Sequence, residues 1–449
     1  ANDPAASGAV SGGGSKTTST VISGVNEADW RSAEAYSSTS SNEEKGVIGR
    51  WISTTHVSLA MVLLALATVI PRGSPRISRR VAGTVAVVSL QDDPRYQSRR
   101  LERHYPGHPA GRLVKAAQLG ASDAEVSLRA GGQSLTVVDA TAVNAADLGK
   151  VFQQLKKDRV VYWVLDLPEA HFAQALQVAG NSALVFNVSA SSDTLRGSQC
   201  AAMLFHSYPS QAMFSDALAQ YLAARTWRNA LVLQGPEVGD LRQSEAWQRA
   251  AKRYGIKTVD TKAFKLSGDP RERDLSNTRL LTNDRNHDVV AVMDADGEFA
   301  RTLPYATQQP RPVVGANGLV ALAWHMQWER NGGPQVNRRF VRLAQRPMVG
   351  QDWAAWVAVK SVAALISEHG KLGPPEQARL LRSGQVFVDG AKGPRLSYRS
   401  WDGQLRQPIF LSHVDGVIAT APLEGVLHPL EVLDTLGIDE KESACKTKP

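Results

Sequence analysis

Residues 208–222, "YPSQAMFSDALAQYL", follow directly on "AAMLFHS", residues 201–207. The first run reads as a helix: Pro209 pre-sets φ, Ser210 offers a capping hydroxyl, and apolar residues then recur at helical spacing. The second run is short and apolar, as a buried strand is. A strand that feeds a capped helix aims backbone N–H groups at whatever lies above the sheet. The turn is therefore a candidate catalytic turn, phosphate cradle or floor of a binding cleft.

The surrounding sequence repeats this grammar. On the N-terminal side, "VAGTVAVVSL" (81–90), "SLTVVDA" (134–140), "VVYWVLDL" (160–167) and "SALVFNVS" (182–189) are short β-rich runs. "NAADLGKVFQQLKKD" (144–158) and "AHFAQALQVAG" (170–180) between them are helical. Strands alternating with helices predict a parallel sheet covered on both faces. On the C-terminal side a second α/β unit follows: "NALVLQGP" (229–236), "SEAWQRAAKRYGI" (244–256), "KTVDTKAF" (257–264) and "HDVVAVMDADGEF" (287–299). "PVVGANGLVALAWH" (312–325) reads as a strand returning toward the first unit, ahead of helices near 334–345 and 352–368. "GQVFVDGAKGPRLSYRSWDGQLRQPIFLSH" (384–413) and "GVIATAP" (416–422) read as antiparallel strands joined by glycine-containing turns. The expected fold class is α/β: two Rossmann-like lobes joined by crossover hinge segments, with a β-rich C-terminal tail. Residues 81–208 form lobe 1, 209–312 lobe 2, 313–370 a return to lobe 1, and 371–449 a tail completing lobe 2.

The N-terminal residues differ in kind. "ANDPAASGAVSGGGSKTTSTVISG" (1–24) and "YSSTSSNEEKG" (36–46) have almost nothing to bury. Such a segment does not offset its ordering entropy, so 1–49 is read as a disordered or extraneous extension. Residues 50–80 follow, with an uncharged run from Val57 to Ile70 that is short for a bilayer span and has the length of a signal-peptide core. A buried helix and a short signal anchor are the alternatives. The expected compartment is the periplasm, reached by export.

Charge and motifs narrow the function classes. In 449 residues, 51 Lys and Arg against 43 Asp and Glu give +8, which suits anionic partners, but the cations are scattered among the acids. No RNA-recognition motif, zinc finger or aromatic-basic stripe occurs, so no nucleic-acid partner is expected. There is no G-x-S-x-G elbow, P-loop, G-x-G-x-x-G turn, H-E-x-x-H pair or C-x-x-C. The sequence is thus read as a non-enzyme without a metal. Asp294 and Asp296 in "MDADGEF" are an acid-base or cation pair on one reading, and a solvated loop or ligand clamp on the other. The two cysteines, Cys200 and Cys445, form a disulfide if the chain is exported, and are otherwise two unrelated thiols.

Six segments carry a family resemblance: "QDDPRY" (91–96), "FNVSASSDTLRGSQC" (186–200), "HSYPSQAMFSDALAQYL" (206–222), "LPYATQQPRPVVGANGLVALAWH" (303–325), "WDGQLRQPIFL" (401–411) and "LDTLGIDEKESAC" (433–445). From about Val81 to Cys445 the chain resembles type 1 periplasmic binding proteins of the branched-chain amino acid (leucine/isoleucine/valine-binding) class. Within it, the chain looks closest to ABC-transporter substrate-binding proteins associated with pyrroloquinoline quinone (PQQ)-dependent alcohol dehydrogenase systems. It departs from that pattern at "HYPGHPAGR" (104–112) and "EFARTLPYATQQP" (298–310). The resemblance implies a small anionic ligand in an interlobe cleft, an inner-membrane ABC permease as partner, and a PQQ-dependent dehydrogenase system nearby. PQQ would then be a bound ligand, with no catalytic cofactor.

On that reading "HSYPS" is a hinge and cleft-floor element, and strand-end and crossing residues face the ligand. These are Asp93, Arg95 and Tyr96 after the first strand, and Asn187, Ser189, Ser191 and Arg196 after the fourth. His206, Tyr208 and Ser210 lie at the first crossing, and Asp294, Glu298 and Arg301 end a lobe-2 strand. Trp324 and His325 lie at the second crossing. Each also has a plain structural reading, as an ion pair, a core side chain or a satisfied carbonyl partner. PQQ, planar with three carboxylates, would use Arg95, Arg196 and Arg301 with Trp324 and Tyr208 as aromatic wall. An amino acid would use Ser189, Ser191 and Asp294. A sensory or scaffold protein with a vestigial cleft is the third reading. Export directed by residues 47–80 is expected to leave a mature N-terminus between Pro71 and Val81, read by N-terminal sequencing of a periplasmic extract. Uncleaved chain in the cytosol contradicts it.

Overall fold

The computed structural model describes residues 82–446, Val426 excepted. The expected extension and signal-like segment lie outside the described residues. Lobe 1 is built on a parallel sheet of β1 (Ala82–Leu90), β2 (Ser134–Ala142), β3 (Tyr162–Asp166), β4 (Leu184–Asn187) and β5 (Leu204–His206), in the order β2-β1-β3-β4-β5. Its inner strands are buried along their whole length, which is why they read as continuous apolar runs rather than alternating ones. A short helix, α1 (Ser98–Arg103), follows β1; α2 (Val114–Ala130) leads to β2, and α3 (Leu148–Lys157) and α4 (Phe172–Ala179) complete the crossovers.

Ser210 caps α5 (Gln211–Ala224), its Oγ accepting from the Met213 amide at 3.1 Å. Lobe 2 follows with β6 (Asn229–Gln234), α6 (Val238–Tyr254), β7 (Lys257–Ala263), a single helical turn α7 (Thr278–Leu281) and β8 (Val289–Met293). Its parallel sheet runs β7-β6-β8-β9, closed by β9 (Val313–Gly315), whose Val313 pairs with Val290. Residues 313–322 therefore stay with lobe 2 instead of returning to lobe 1. Gly315 and Gly318 have φ of +111° and +77°, so the expected single strand is folded back on itself into β9 and β10 (Val320–Leu322). The chain reaches lobe 1 only at Ala323 and Trp324, which join its core.

Two helices then cover lobe 1: α8 (Gly333–Ala344) and the almost wholly buried α9 (Gly350–His369), which carries Trp353 and Trp356 into the core. Gly120 lets α2 approach α9 closely: a Cβ there would stand 2.8 Å from the Trp356 carbonyl oxygen. The tail does not all complete lobe 2. Helix α10 (Pro374–Arg382) and the small ribbon β11 (Val388–Asp389) with β12 (Arg395–Leu396) place Leu381, Val388 and Leu396 in the lobe-1 core. Only after a third crossing, between Leu405 and Ile409, does β13 (Ile409–His413) pair antiparallel with β10, and β14 (Gly416–Ala421) with β13, adding Ile409, Leu411 and Ala421 to the lobe-2 core. Among the described residues no helix is long and apolar enough to cross a membrane.

The last segment runs back from lobe 2 to lobe 1. The Gly437 amide donates to Asp216 on α5 at 2.8 Å, Arg253 on α6 donates to the Gly437 carbonyl at 3.1 Å, and Cys445 is bonded to Cys200 across 245 residues of sequence. A crosslink closing so long a loop stabilises chiefly by restricting the unfolded chain. Cys445→Ser is expected to lower stability by roughly 3–5 kcal/mol in denaturant titration. Unchanged stability, or two alkylatable thiols in the exported protein, would contradict the crosslink.

Candidate functional site

Between the carboxyl ends of the two parallel sheets lies a cavity of about 430 Å³, where open α/β sheets gather their ligands. Lobe 1 supplies the loop after β4, with the hydroxyls of Ser189, Ser191, Ser192 and Thr194, together with Tyr208 at the first crossing, His108 and Gln351. Lobe 2 supplies Phe214 and Leu218 of α5, Arg242 and Trp247 of α6, and Asp294 after β8.

The β4 loop is held from beneath by buried polar groups. Asn187 accepts from the amides of Ser189 and Ala190 at 3.2 and 2.9 Å and donates to the Ala190 carbonyl at 2.7 Å. Arg196 donates to the carbonyls of Ala190 at 3.0 Å, Ser192 at 2.8 Å and Tyr208 at 2.7 Å, and to Gln404 Oε1 at 2.8 Å. Burial pushes the Arg196 pKa down to about 10 against the pull of Asp193 and Asp402. Arg196 is therefore a strut beneath the loop and not the carboxylate anchor expected from sequence, because its donors are occupied by protein.

Of the other sequence candidates, Arg95, Ser189, Ser191, Tyr208 and Asp294 line the cavity. Arg95 is held by Asp93 at 2.7 Å and Asp166 at 3.1 Å. Burial opposes its charge, yet those two carboxylates raise its pKa above the ordinary guanidinium value. Asp93 is thus an ion-pair partner, and Tyr96 bonds Asp166 through its hydroxyl while its ring lies 4.1 Å beneath the Arg112 guanidinium. Asn187 and Ser210 shape backbone, as described. His206 is fully buried against Asn187 at 3.0 Å, and burial, with Arg196 and Arg382, holds its pKa well below the ordinary value. Trp324 does not form a cavity wall: it is 2% exposed, donates to Asn337 at 2.9 Å and stacks on Trp353 in the lobe-1 core. His325 accepts from the Gln327 amide at 3.1 Å, and Arg301 is exposed outside the cavity lining.

Three polar atoms of lining residues are buried without a hydrogen-bond partner: Ser189 Oγ, Gln351 Oε1 and Trp247 Nε1. Gln351 donates its amide to the Gly107 carbonyl at 2.7 Å and Tyr208 Oη at 3.1 Å. Asp294 accepts from the Ala300 amide at 2.7 Å, and burial raises its pKa above the usual carboxylate range. Gln351 and Trp247 were missed in the sequence because each sits within a helical pattern that core packing explains equally well. His108 fell within "HYPGHPAGR", whose departure from the resembled pattern was the available signal.

Ion pairs join the lobes both within the cavity lining and outside it. Glu169 of lobe 1 pairs with Arg242 of lobe 2 while accepting from Thr194 of the β4 loop. Elsewhere, Arg100 pairs with Asp296, and Glu298 is gripped by Arg103 at 3.0 Å and by the Tyr105 hydroxyl. Among the described residues no group of His, Cys, Asp and Glu has the makings of a metal site.

No family model matches the sequence, and no curated protein matches it. Solved structures do match it. A leucine-, isoleucine-, valine-, threonine- and alanine-binding protein from Brucella ovis, in its closed conformation, superposes with a TM-score of 0.61 over 82% of this chain and 100% of its own, at 15% identity. The fold is that of the type 1 periplasmic binding proteins. A periplasmic binding protein from Burkholderia mallei gives a TM-score of 0.58 over 82% of this chain and 99% of that one at 12% identity. A solute-binding protein of an ABC transporter from R. palustris, in complex with benzoate, gives 0.56 over 82% and 100% at 11% identity. In this chain the three crossings join the two lobes, and the cavity lies between them.

Because Arg196 donates to three buried carbonyls and to Gln404 Oε1, Arg196→Met leaves those acceptors without their donor and is expected to destabilise the chain by roughly 3–5 kcal/mol. Urea unfolding checks this. A variant as stable as the parent would return Arg196 to the list of solute contacts.

Proposed function

We propose that this chain is the solute-binding component of an ABC-type uptake system, working in the periplasm with an inner-membrane permease, and that its solute is a small zwitterion of the amino-acid class. One observation carries the choice of solute: the hydroxyl-rich β4 loop and the Asp294 carboxylate line one cavity whose cations are all paired or neutral. Arg95 is shared by two carboxylates, Arg242 is paired with Glu169, and burial, reinforced by Arg100, pushes the His108 pKa down to about 4.

A solute carboxylate accepts from the loop hydroxyls and amides, while its ammonium offsets the burial of Asp294 and keeps that carboxylate ionised. The binding of five amino acids by the Brucella ovis protein supports this reading. PQQ, with three carboxylates, calls for free cations: two of its expected arginines, Arg196 and Arg301, are absent from the lining, and the third is already neutralised. Phe214, Tyr208 and Trp247 give the cavity an aromatic side, so an aromatic carboxylate is the second reading, supported by the benzoate complex. The solved structures that match the chain are binding proteins, which supports binding without chemistry.

Isothermal titration with each of the twenty amino acids, benzoate and PQQ tests the assignment. Saturable one-to-one binding of an amino acid is expected, weakened at least tenfold in Asp294→Asn, a loss of about 1.4 kcal/mol or more. Binding of PQQ with none of any amino acid would overturn it, and binding of benzoate alone would select the second reading.

A further inference from the structure

Two segments that depart from the resembled pattern, 104–112 in lobe 1 and 298–310 in lobe 2, touch each other through Tyr105 and Glu298. Arg100 stands beside that contact and links three groups. One terminal nitrogen pairs with the Asp296 carboxylate of lobe 2; the other donates to the Asp296 carbonyl at 2.8 Å and meets His108 Nδ1 at 3.3 Å. The Tyr105 ring lies 5.2 Å beneath the guanidinium. On the lobe-2 side, the turn through Asp296 and Glu298 depends on Gly297, whose φ is +82° and whose missing Cβ would stand 3.1 Å from the Tyr105 ring.

We propose that Arg100 is a positioning residue that couples lobe closure to the cavity wall: it grips Asp296 across the cleft and, with the same guanidinium, fixes His108 as a neutral hydrogen-bond donor to the solute. The tautomer follows from donor inventory. A guanidinium has only N–H groups to offer, so His108 Nδ1 is the acceptor, and a neutral ring then carries its proton on Nε2. His108 lines the cavity, and burial together with Arg100 keeps it neutral at ordinary pH. A solute oxygen therefore meets a donor whose orientation is set by the residue that holds the lobes together. Arg103 and Tyr105 on Glu298 reinforce the grip, and the Tyr105 ring also packs at a tilt against the His108 ring, centroids 5.5 Å apart.

The coupling to solute rests on the binding function proposed above, whereas the grip and the tautomer do not, so they are measured without solute. Nitroxide labels at the exposed positions Gln177→Cys (lobe 1) and Lys252→Cys (lobe 2) report the interlobe distance in the otherwise full chain. A single short population is expected, lengthening in Arg100→Glu and returning in the charge swap Arg100→Glu with Asp296→Arg. A parent chain already at the long distance, no change in Arg100→Glu, or a swap that stays long overturns the grip. Nitrogen NMR of labelled histidine is expected to show His108 protonated at Nε2 in the parent, with a shifted tautomer balance in Arg100→Gln. Protonation at Nδ1 in the parent, or an unchanged spectrum in the variant, overturns the positioning role. With leucine as probe, Arg100→Gln is expected to weaken binding at least tenfold, and unchanged affinity overturns the coupling. Failure of leucine to bind the parent counts against the solute assignment and leaves the two solute-free results to decide the latch.

Discussion

A buried guanidinium at the junction of the lobes constrains everything around the cavity. Arg196 is 3% exposed, makes no ion pair among the described residues, and is stabilised by carbonyls of Ala190, Ser192 and Tyr208 and by Gln404. Gln404 in turn donates to the carbonyls of His206 and Tyr208 at 3.1 and 3.2 Å, tying the third crossing to the first. Lys392 repeats the device, donating to Gln407 Oε1 at 2.9 Å and the Pro408 carbonyl at 3.0 Å, while Gln407 holds the Ser207 carbonyl at 2.9 Å. Buried basic groups with no carboxylate at hydrogen-bond distance are tolerable only while such acceptors surround them, so neither the β4 loop nor the crossings can drift far without leaving buried donors unsatisfied.

Closure itself depends on weaker forces. Arg100 and Asp296 are 24% and 53% exposed, and Arg103 and Glu298 are about as open as Arg100. Pairs of that exposure contribute roughly 0–1 kcal/mol each, so the interlobe set together is worth about as much as one or two good hydrogen bonds to a solute. On the binding function proposed above, these pairs favour the closed arrangement by a small margin, to which the contacts of an occupant add.

The sequence shows the sheets well and the side-chain directions poorly. Strand runs at 81–90, 160–167 and 182–189 appear where the parallel sheet needs them, because burial on both faces leaves a continuous apolar signature. Ser210 is legible as a cap because capping is local. Arg196 and Trp324 looked like ligand contacts because a strand-end arginine or crossing tryptophan has the same sequence whether it faces a cleft or a core. The tertiary packing of Gln404 and Asn337 against them decides the matter. Gly315 and Gly318 did carry a local signal, and the fold-back between β9 and β10 is what their positive φ permits.

The tail fits the same mechanical logic. A covalent tie between two moving lobes would block opening if it crossed the rim of the cleft. Here the returning segment passes beside the hinge: a Cβ on Gly437 would lie 3.7 Å from Ser210 Oγ, at the start of the helix that begins lobe 2. Near a pivot, rotation moves atoms little, so on the binding function proposed above the segment from Gly437 to Cys445 restricts the unfolded chain strongly while leaving the lobes free to turn. Stability and motion are thereby drawn from different parts of one architecture, the crosslinked tail beside the hinge and the exposed ion pairs between the lobes.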